Sequence, residues 1–183
     1  MNIPLIWIFP VLAVQRLVEL WLSRRNLRRL AARGGREFHP ETFRDFAVLH
    51  SLFLLALLAE SFPWRVPWDL RTQACLAAAG LLMAGRYWCI ACLGECWNTR
   101  IVVVPGAPRV SQGPYRWLRH PNYLVVALEF LCLPLLLRSP LTLAVFFPLN
   151  LILLRRRIRL EEEALGVRPG STNFHHKGPR NTK

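Results

Sequence analysis

Five apolar runs divide this chain, and arginines crowd the loops between them. The runs cover roughly residues 3–22, 46–62, 70–93, 123–137 and 141–154. A run of this kind either fills a bilayer or forms the centre of a protein core. A hydrocarbon layer about 30 Å thick takes roughly 20 helical residues. Only helices and closed barrels satisfy every backbone polar group there. No run alternates polar and apolar residues as a barrel strand must. The expected fold is therefore an all-α integral membrane protein of about five transmembrane helices. The last two, flanking "RSP" at 138–140, form a short helical hairpin.

Charge supports the same expectation. The chain is 53% hydrophobic yet carries a formal net charge of +13. Lipid-facing spans with basic flanks account for both values together. The arginines sit at the ends of apolar runs, not in a stripe with interleaved aromatics, so no nucleic-acid partner is expected. The first loop holds Arg24, Arg25, Arg28, Arg29, Arg33, Arg36 and Arg44. The third holds Arg100, Arg109, Arg116 and Arg119, and "RRRIR" follows the fifth run at 155–159. The positive-inside rule places these three regions in the cytoplasm and the N-terminus outside. The opening "MNIPLIWIFPVLAV" lacks a basic n-region and an A-x-A site, and reads as a retained first span. Residues 1–167 make one domain; the polar, breaker-rich tail 168–183 is expected to be disordered. His175 and His176 within it have no Cys or carboxylate neighbours.

Several chemistries lack their motifs. There is no G-x-G-x-x-G, P-loop or G-x-S-x-G element. Cys89 and Cys92 form a single C-x-x-C at a helix end without a second pair, so no metal site is expected. The five cysteines read as free thiols acting as small hydrophobes. Gly80 and Ala84 have small-xxx-small spacing, which predicts close packing of the third helix on a neighbour. Arg16, Glu19 and Arg86 fall near the ends of runs. Glu129 lies mid-span, where it either hydrogen-bonds within the bundle or lines a pocket.

Three polar groups can carry chemistry. "GPYRWLRHPNY" spans 113–123 and runs straight into an apolar segment. Pro121 suits the first turn of a helix, and His120 or Asn122 could cap it. Arg116, Arg119 and His120 then surround a helix N-terminus, a natural seat for an anion. "RRRIRLEEEALG" at 155–166 continues the fifth helix; there Arg157 with Glu161 is a possible i,i+4 ion pair in the weaker order. "ECWNTRIVVVPGAPRVSQG" at 95–113 closes the third span with Trp97, Asn98 and Arg100 and turns at "PGAP".

"GPYRWLRHPNY" followed by a short hairpin and "RLEEEAL" resembles the isoprenylcysteine carboxyl methyltransferase family over roughly residues 95–165. That family consists of integral-membrane enzymes using S-adenosylmethionine. The resemblance implies a cytosol-facing cofactor pocket between the R-H-P helix and the E-E segment. Carried over by position, Gly113, Tyr115, Arg119, His120, Pro121, Tyr123, Glu161 and Glu162 bind the cofactor. Arg100, Arg116 and Glu162 are the expected catalytic residues. Arg100 or another loop arginine is expected to hold an acceptor oxygen that arrives already ionised, so that no strong general base is needed.

Family members often carry Gly two residues after the motif tyrosine; here Val125 stands there, a departure that points away from a prenylcysteine substrate. "WNTRIVVVPGAP" with "GPYRWLRHPNYLVV" is more similar to a bacterial branch that methylates long-chain alkylpyrones and alkylresorcinols. The implied partner is a lipophilic acceptor arriving sideways from the bilayer, with membrane lipids around it. The alternatives are another lipid acceptor, such as a prenylated thiol-acid, or a non-catalytic scaffold or small transporter.

Overall fold

The computed structural model describes residues 1–166. The tail, with His175 and His176, lies outside the described residues. Five helices follow one another: α1 Ile8–Ala32, α2 Glu41–Glu60, α3 Leu70–Leu93, α4 Pro121–Leu136 and α5 Pro140–Ala164. The expected hairpin is α4 and α5, joined by three residues. The expectation of an all-α chain needs one correction. Four strands of three residues each, β1 Asn2–Pro4, β2 Arg36–Phe38, β3 Arg65–Pro67 and β4 Ile101–Val103, form two antiparallel ladders, β1 with β3 and β2 with β4. Three residues are too few to show a period of two, and each strand pairs with one distant in sequence.

The ladders mark the two ends of the bundle. At one end Ile3 lies opposite Val66. The α4–α5 turn joins that end, where Arg138 Nη2 donates to Asp69 Oδ2 at 2.6 Å. The Glu60 carboxylate there accepts the N–H groups of Leu141 and Thr142. At the other end Glu37 lies opposite Val102, and ion pairs Arg29–Glu95, Arg100–Glu37 and Arg156–Asp45 tie the three basic regions together. The grouping expected from charge is thus present in space.

Two helical stretches, Glu41–Glu60 and Leu70–Cys96, are long and apolar enough to cross a membrane, and α4 is a shorter apolar helix. α1 and α5 carry charges along the faces they turn inward. The bundle is inside-out by the standard of a soluble protein. Leu17, Trp21, Leu55, Leu81 and Ile152 are exposed, whereas Gln15, Glu19, Asn26, Arg86, Asn150 and Arg157 are buried. Exposed apolar surface on this scale marks contact with lipid or a partner.

α1 runs ten residues past the apolar segment that announced it. Its buried residues, Ile8, Leu12, Gln15, Glu19, Ser23, Asn26 and Leu30, recur every three or four positions on one face. That face is apolar at first and polar afterwards, so hydropathy alone loses it. Gly34 then ends the helix at φ +79°, a conformation that favours glycine, with its N–H on the Ala31 carbonyl.

The small-residue expectation fails. Gly80 and Ala84 are exposed on α3, and a Cβ on Gly80 would meet nothing within 4 Å. α3 packs on α4 one position further on: Val125 Cγ2 lies 3.8 Å from where a Gly85 Cβ would stand. The Cys132 thiol donates to the Cys75 carbonyl in the same interface. All five cysteines are free. Deeper in the core Phe53 stacks on Phe130, with centroids 4.1 Å apart and the ring planes 20° from parallel.

Glu129 bonds within the bundle. Its carboxylate takes the Arg86 guanidinium twice, through Nε and Nη2, and Arg16 Nη2 at 3.1 Å. Glu19 pairs with the same two arginines. Arg16, Glu19 and Arg86, which sequence position assigns to run ends, therefore meet Glu129 inside the bundle. Two cations and two anions close into a formally neutral group linking α1, α3 and α4.

Candidate active site

The segment after α3 is pinned from both sides. From α1, Asn26 Nδ2 donates to the carbonyls of Gly94 and Trp97. Ser23 Oγ accepts the Thr99 N–H and donates to Asn98 Oδ1, and Asn98 Nδ2 returns to the Ser23 carbonyl. From α5, Arg157 Nη2 donates to the Thr99 carbonyl at 2.6 Å. The short side chains of Ser23 and Asn26 hold residues 97–99 close against α1, and the longer reach of Arg157 ties the same segment to α5.

A cavity of about 380 Å³ opens beyond that segment, roofed by residues 101–110 and floored by Tyr115, Arg119, His120, Asn122, Tyr123 and Glu161. Among the residues of its wall, Trp97 Nε1, His120 Nε2 and Asn122 Oδ1 are buried without a hydrogen-bond partner, and the buried Tyr115 hydroxyl lies against the Cys89 thiol. Buried polar groups are almost always bonded. Several unpaired ones among the residues around one space favour a polar ligand there. Burial raises the Tyr115 phenol far above its ordinary range, so it stays a neutral donor.

A second cavity of about 230 Å³ lies on the other side of Trp97, Asn98, Asn122 and Tyr123, which line both. Its remaining wall is largely apolar, with Phe43, Phe46, Leu54, Val126 and Leu154, and carries Arg16, Arg86, His50 and Arg157. Arg16 and Arg86 are spent on Glu19 and Glu129. Arg157 is not. It is 6% exposed, its Nε donates to the Tyr123 hydroxyl at 2.9 Å, and among the described residues it has no carboxylate partner. Its guanidinium also lies over the Phe46 and Tyr123 rings. In place of a direct Arg157–Glu161 ion pair, the weaker-order alternative raised by their spacing, the Tyr123 hydroxyl lies between them and donates to Glu161.

The expected site residues divide into four groups. Tyr115, Arg119, His120, Tyr123, Glu161 and Arg100 line the first cavity. Glu162 stands behind it, 3.5 Å from His120 Nε2 and 3.6 Å from Arg119 Nη1, close enough for charge attraction but without a hydrogen bond to His120. Pro121 is buried as the first residue of α4, and neither His120 nor another side chain caps that helix. Gly113 holds φ +55° against α3; a Cβ there would lie 2.4 Å from Cys92 Sγ. Both serve the shape of the loop. Arg116 is exposed and lies outside both cavity walls. Arg100 is committed to Glu37 at 2.6 Å and lies over Phe43.

Sequence reasoning passed over Asn122 as a site group, the inward face of Arg157 and all of His50. Arg157 hides in a basic run, but its spacing of four from Glu161 puts both on one helix face. His50 is an ionisable residue inside an apolar run, a signal in its own right.

Residues 75–167 match the model of the isoprenylcysteine carboxyl methyltransferase (ICMT) family. An uncharacterized protein of Bacillus subtilis, YpbQ, is 39% identical over 158 residues, covering 85% of this chain and 92% of that one. An uncharacterized protein of Haemophilus influenzae is 26% identical over 156 residues, covering 85% and 90%. No solved structure matches. The match takes in α4, α5, nearly all of the first cavity's wall and half of the second's, so the chain belongs to the isoprenylcysteine carboxyl methyltransferase family of membrane methyltransferases.

Proposed function

We propose that this chain is an S-adenosylmethionine-dependent methyltransferase that O-methylates a lipophilic acceptor, with the acidic hydroxyl of a long-chain alkylpyrone or alkylresorcinol as the best-fitting group. The observation that carries this is the pair of cavities sharing Trp97, Asn98, Asn122 and Tyr123, one lined with unpaired polar atoms and one largely apolar.

The residues of the first cavity suit the methyl donor. Arg119 and His120 favour its carboxylate, Glu161 its ammonium, and the aromatic faces of Tyr115 and Tyr123 its sulfonium. Trp97 and Tyr115 offer donors to the remaining polar atoms, and Asn122 Oδ1 offers an acceptor. When bound, the donor supplies an electrophilic methyl. The chain's own residues hold the two reactants against each other across the shared wall; well-oriented pairing alone is worth ~7–11 kcal/mol of barrier.

Arg157 replaces Arg100 as the group that holds the acceptor oxygen. It faces the apolar cavity, is buried, and lacks a carboxylate partner, so a developing anion there gains its full attraction. On this proposal the acceptor enters from the bilayer and the donor from the basic, cytoplasmic end of the bundle.

Carboxyl methylation of a prenylated cysteine is a second reading. Val125, the departure that pointed away from it, lines neither cavity and packs toward Gly85. An arginine serves a carboxylate as well as an enolate.

The test is to incubate purified protein with isotopically labelled S-adenosylmethionine and a total lipid extract, and to identify by mass spectrometry what acquires the methyl. A labelled phenolic or enolic lipid is expected. A folded sample that neither binds the donor nor labels any lipid would overturn the proposal.

A further inference from the structure

His50 sits one turn above Phe46 on α2, inside the membrane-capable stretch, and lines the second cavity. Its Nδ1 lies 2.8 Å from the Phe46 carbonyl oxygen. A carbonyl only accepts, so Nδ1 carries the ring proton and Nε2 is left with its lone pair. The ring is held from a second side by Phe130, edge-on at 5.0 Å. Nε2 is not among the buried polar atoms lacking a partner, and no hydrogen bond to it is formed within the described chain, so its lone pair is left accessible where the imidazole borders the cavity. The charged and titratable groups around it are Arg16 and Glu19 of α1, Arg86 of α3, Glu129 and Tyr123 of α4 and Arg157 of α5. The first two arginines and both carboxylates neutralise one another. What remains facing the space is one cation, Arg157, and one neutral base, His50.

That combination selects an acceptor. A lipid that enters from hydrocarbon enters neutral, because an ion costs too much there. A hydroxyl-bearing ring therefore reaches the cavity still protonated and must lose its proton inside. An acceptor ionised beforehand has no use for a base in the bilayer half of the bundle.

We propose that His50 is the general base of the transfer, which makes the acceptor a lipid hydroxyl that arrives protonated rather than ionised; this deepens, and rests on, the proposed function. The acceptor O–H proton passes to His50 Nε2 as the oxygen lone pair forms the O–CH₃ bond. The S–CH₃ bond of the sulfonium donor breaks, and its electron pair stays on sulfur as a neutral thioether. Arg157 offsets the negative charge that the oxygen carries in passing. The imidazolium then releases its proton to water, which restores the neutral tautomer.

Two measurements test this on the full chain in detergent micelles. In the first, His50→Ala and His50→Gln are compared with wild type using a pentadecylresorcinol as acceptor. Donor affinity stays unchanged while turnover falls about 10²–10⁴-fold, and added imidazole restores part of it in His50→Ala alone. Wild-type turnover in His50→Ala with donor binding intact overturns the base and leaves the proposed function standing. Loss of donor binding in the wild-type protein itself removes both. In the second, nitrogen NMR of histidine-labelled wild type is recorded with the same resorcinol and no methyl donor. The Nε2 resonance moves when the resorcinol binds and stays in place with its dimethyl ether. No movement with the resorcinol, or equal movement with the ether, overturns the assignment without reference to activity or to the folding of any variant.

Discussion

Arg157 Nε donates to the Tyr123 hydroxyl at 2.9 Å, and by that bond the end of α5 is locked to the first turn of α4. The Tyr123 hydroxyl donates in turn to Glu161, so one phenol links the wall of the apolar cavity, proposed for the acceptor, to that of the polar cavity, proposed for the donor. Tyr123→Phe keeps the ring and removes the link. A hydrogen bond to a charged group is worth about 1.5–3 kcal/mol. Donor affinity, read by calorimetric titration, is expected to fall roughly 10–150-fold, the same energy expressed as a ratio. Affinity equal to wild type would show that Glu161 needs no help from Tyr123 to face the donor.

Arg157→Gln and Arg157→Lys separate charge from shape. The guanidinium reaches the Tyr123 hydroxyl and the Thr99 carbonyl with different nitrogens, which a single ammonium cannot do in the same plane. Gln loses the counter-charge, so turnover is expected to fall at least about 100-fold, the scale of one lost donor to a developing anion. Lys keeps the charge but loses the fork and is expected to lie between Gln and wild type. Single-turnover rates at saturating donor distinguish the three. Indistinguishable rates would mean that the acceptor oxygen is held elsewhere.

Much of this architecture is legible in residue order, and what is not legible fails for identifiable reasons. The hairpin, the third helix and the gathering of three basic regions follow from apolar length and arginine position. "RHPNY" stands out because it gathers cationic groups at a helix N-terminus, and "LEEEA" because three carboxylates follow one another where the flanks are otherwise basic. Hydropathy ends α1 early, since Ser23, Asn26 and Leu30 continue its inward face after the apolar run stops. Proximity to a run's end also misplaces Arg16 and Arg86, because the partners that make their burial tolerable, Glu19 and Glu129, are spread over three helices. Arg116 and Arg119 are equivalent as letters; only the turn at Gly113–Arg116 decides which one faces the cavity.

That turn makes its own prediction. Gly113→Ala forces a side chain into φ +55° and against Cys92 Sγ. The strain of the left-handed region is of order 1–3 kcal/mol, and the clash adds to it. The expected result is a lower thermal midpoint in detergent together with weaker donor binding, since Tyr115, Arg119 and His120 hang from the same loop. Adding Cys92→Ala removes the obstructing sulfur but not the backbone strain, and recovers part of the loss. Full recovery would assign the whole effect to the clash.

The neutral group of Arg16, Glu19, Arg86 and Glu129 makes a prediction of the opposite kind, about stability without chemistry. Removing one partner of a buried ion pair leaves a charge without compensation and costs about 3–5 kcal/mol. Glu129→Gln strips Arg86, itself 2% exposed, of its two-pronged partner, and Arg16 loses a contact as well. A large drop in the thermal midpoint is therefore expected. Replacing the pair together, as Arg86→Met with Glu129→Leu, takes away both desolvation costs along with the attraction, and apolar substitutes for buried pairs are often neutral or stabilising. The double variant is thus expected to melt above Glu129→Gln, although Arg16 then keeps only Glu19, and Glu19 only Arg16 and Gln15. Arg86 and Glu129 stand outside the cavity proposed for the donor, so the double variant's donor affinity should match wild type. A double variant no more stable than Glu129→Gln would mean that the group is held for its geometry, as the bridge between α1 and the α3–α4 pair, and not merely balanced within itself.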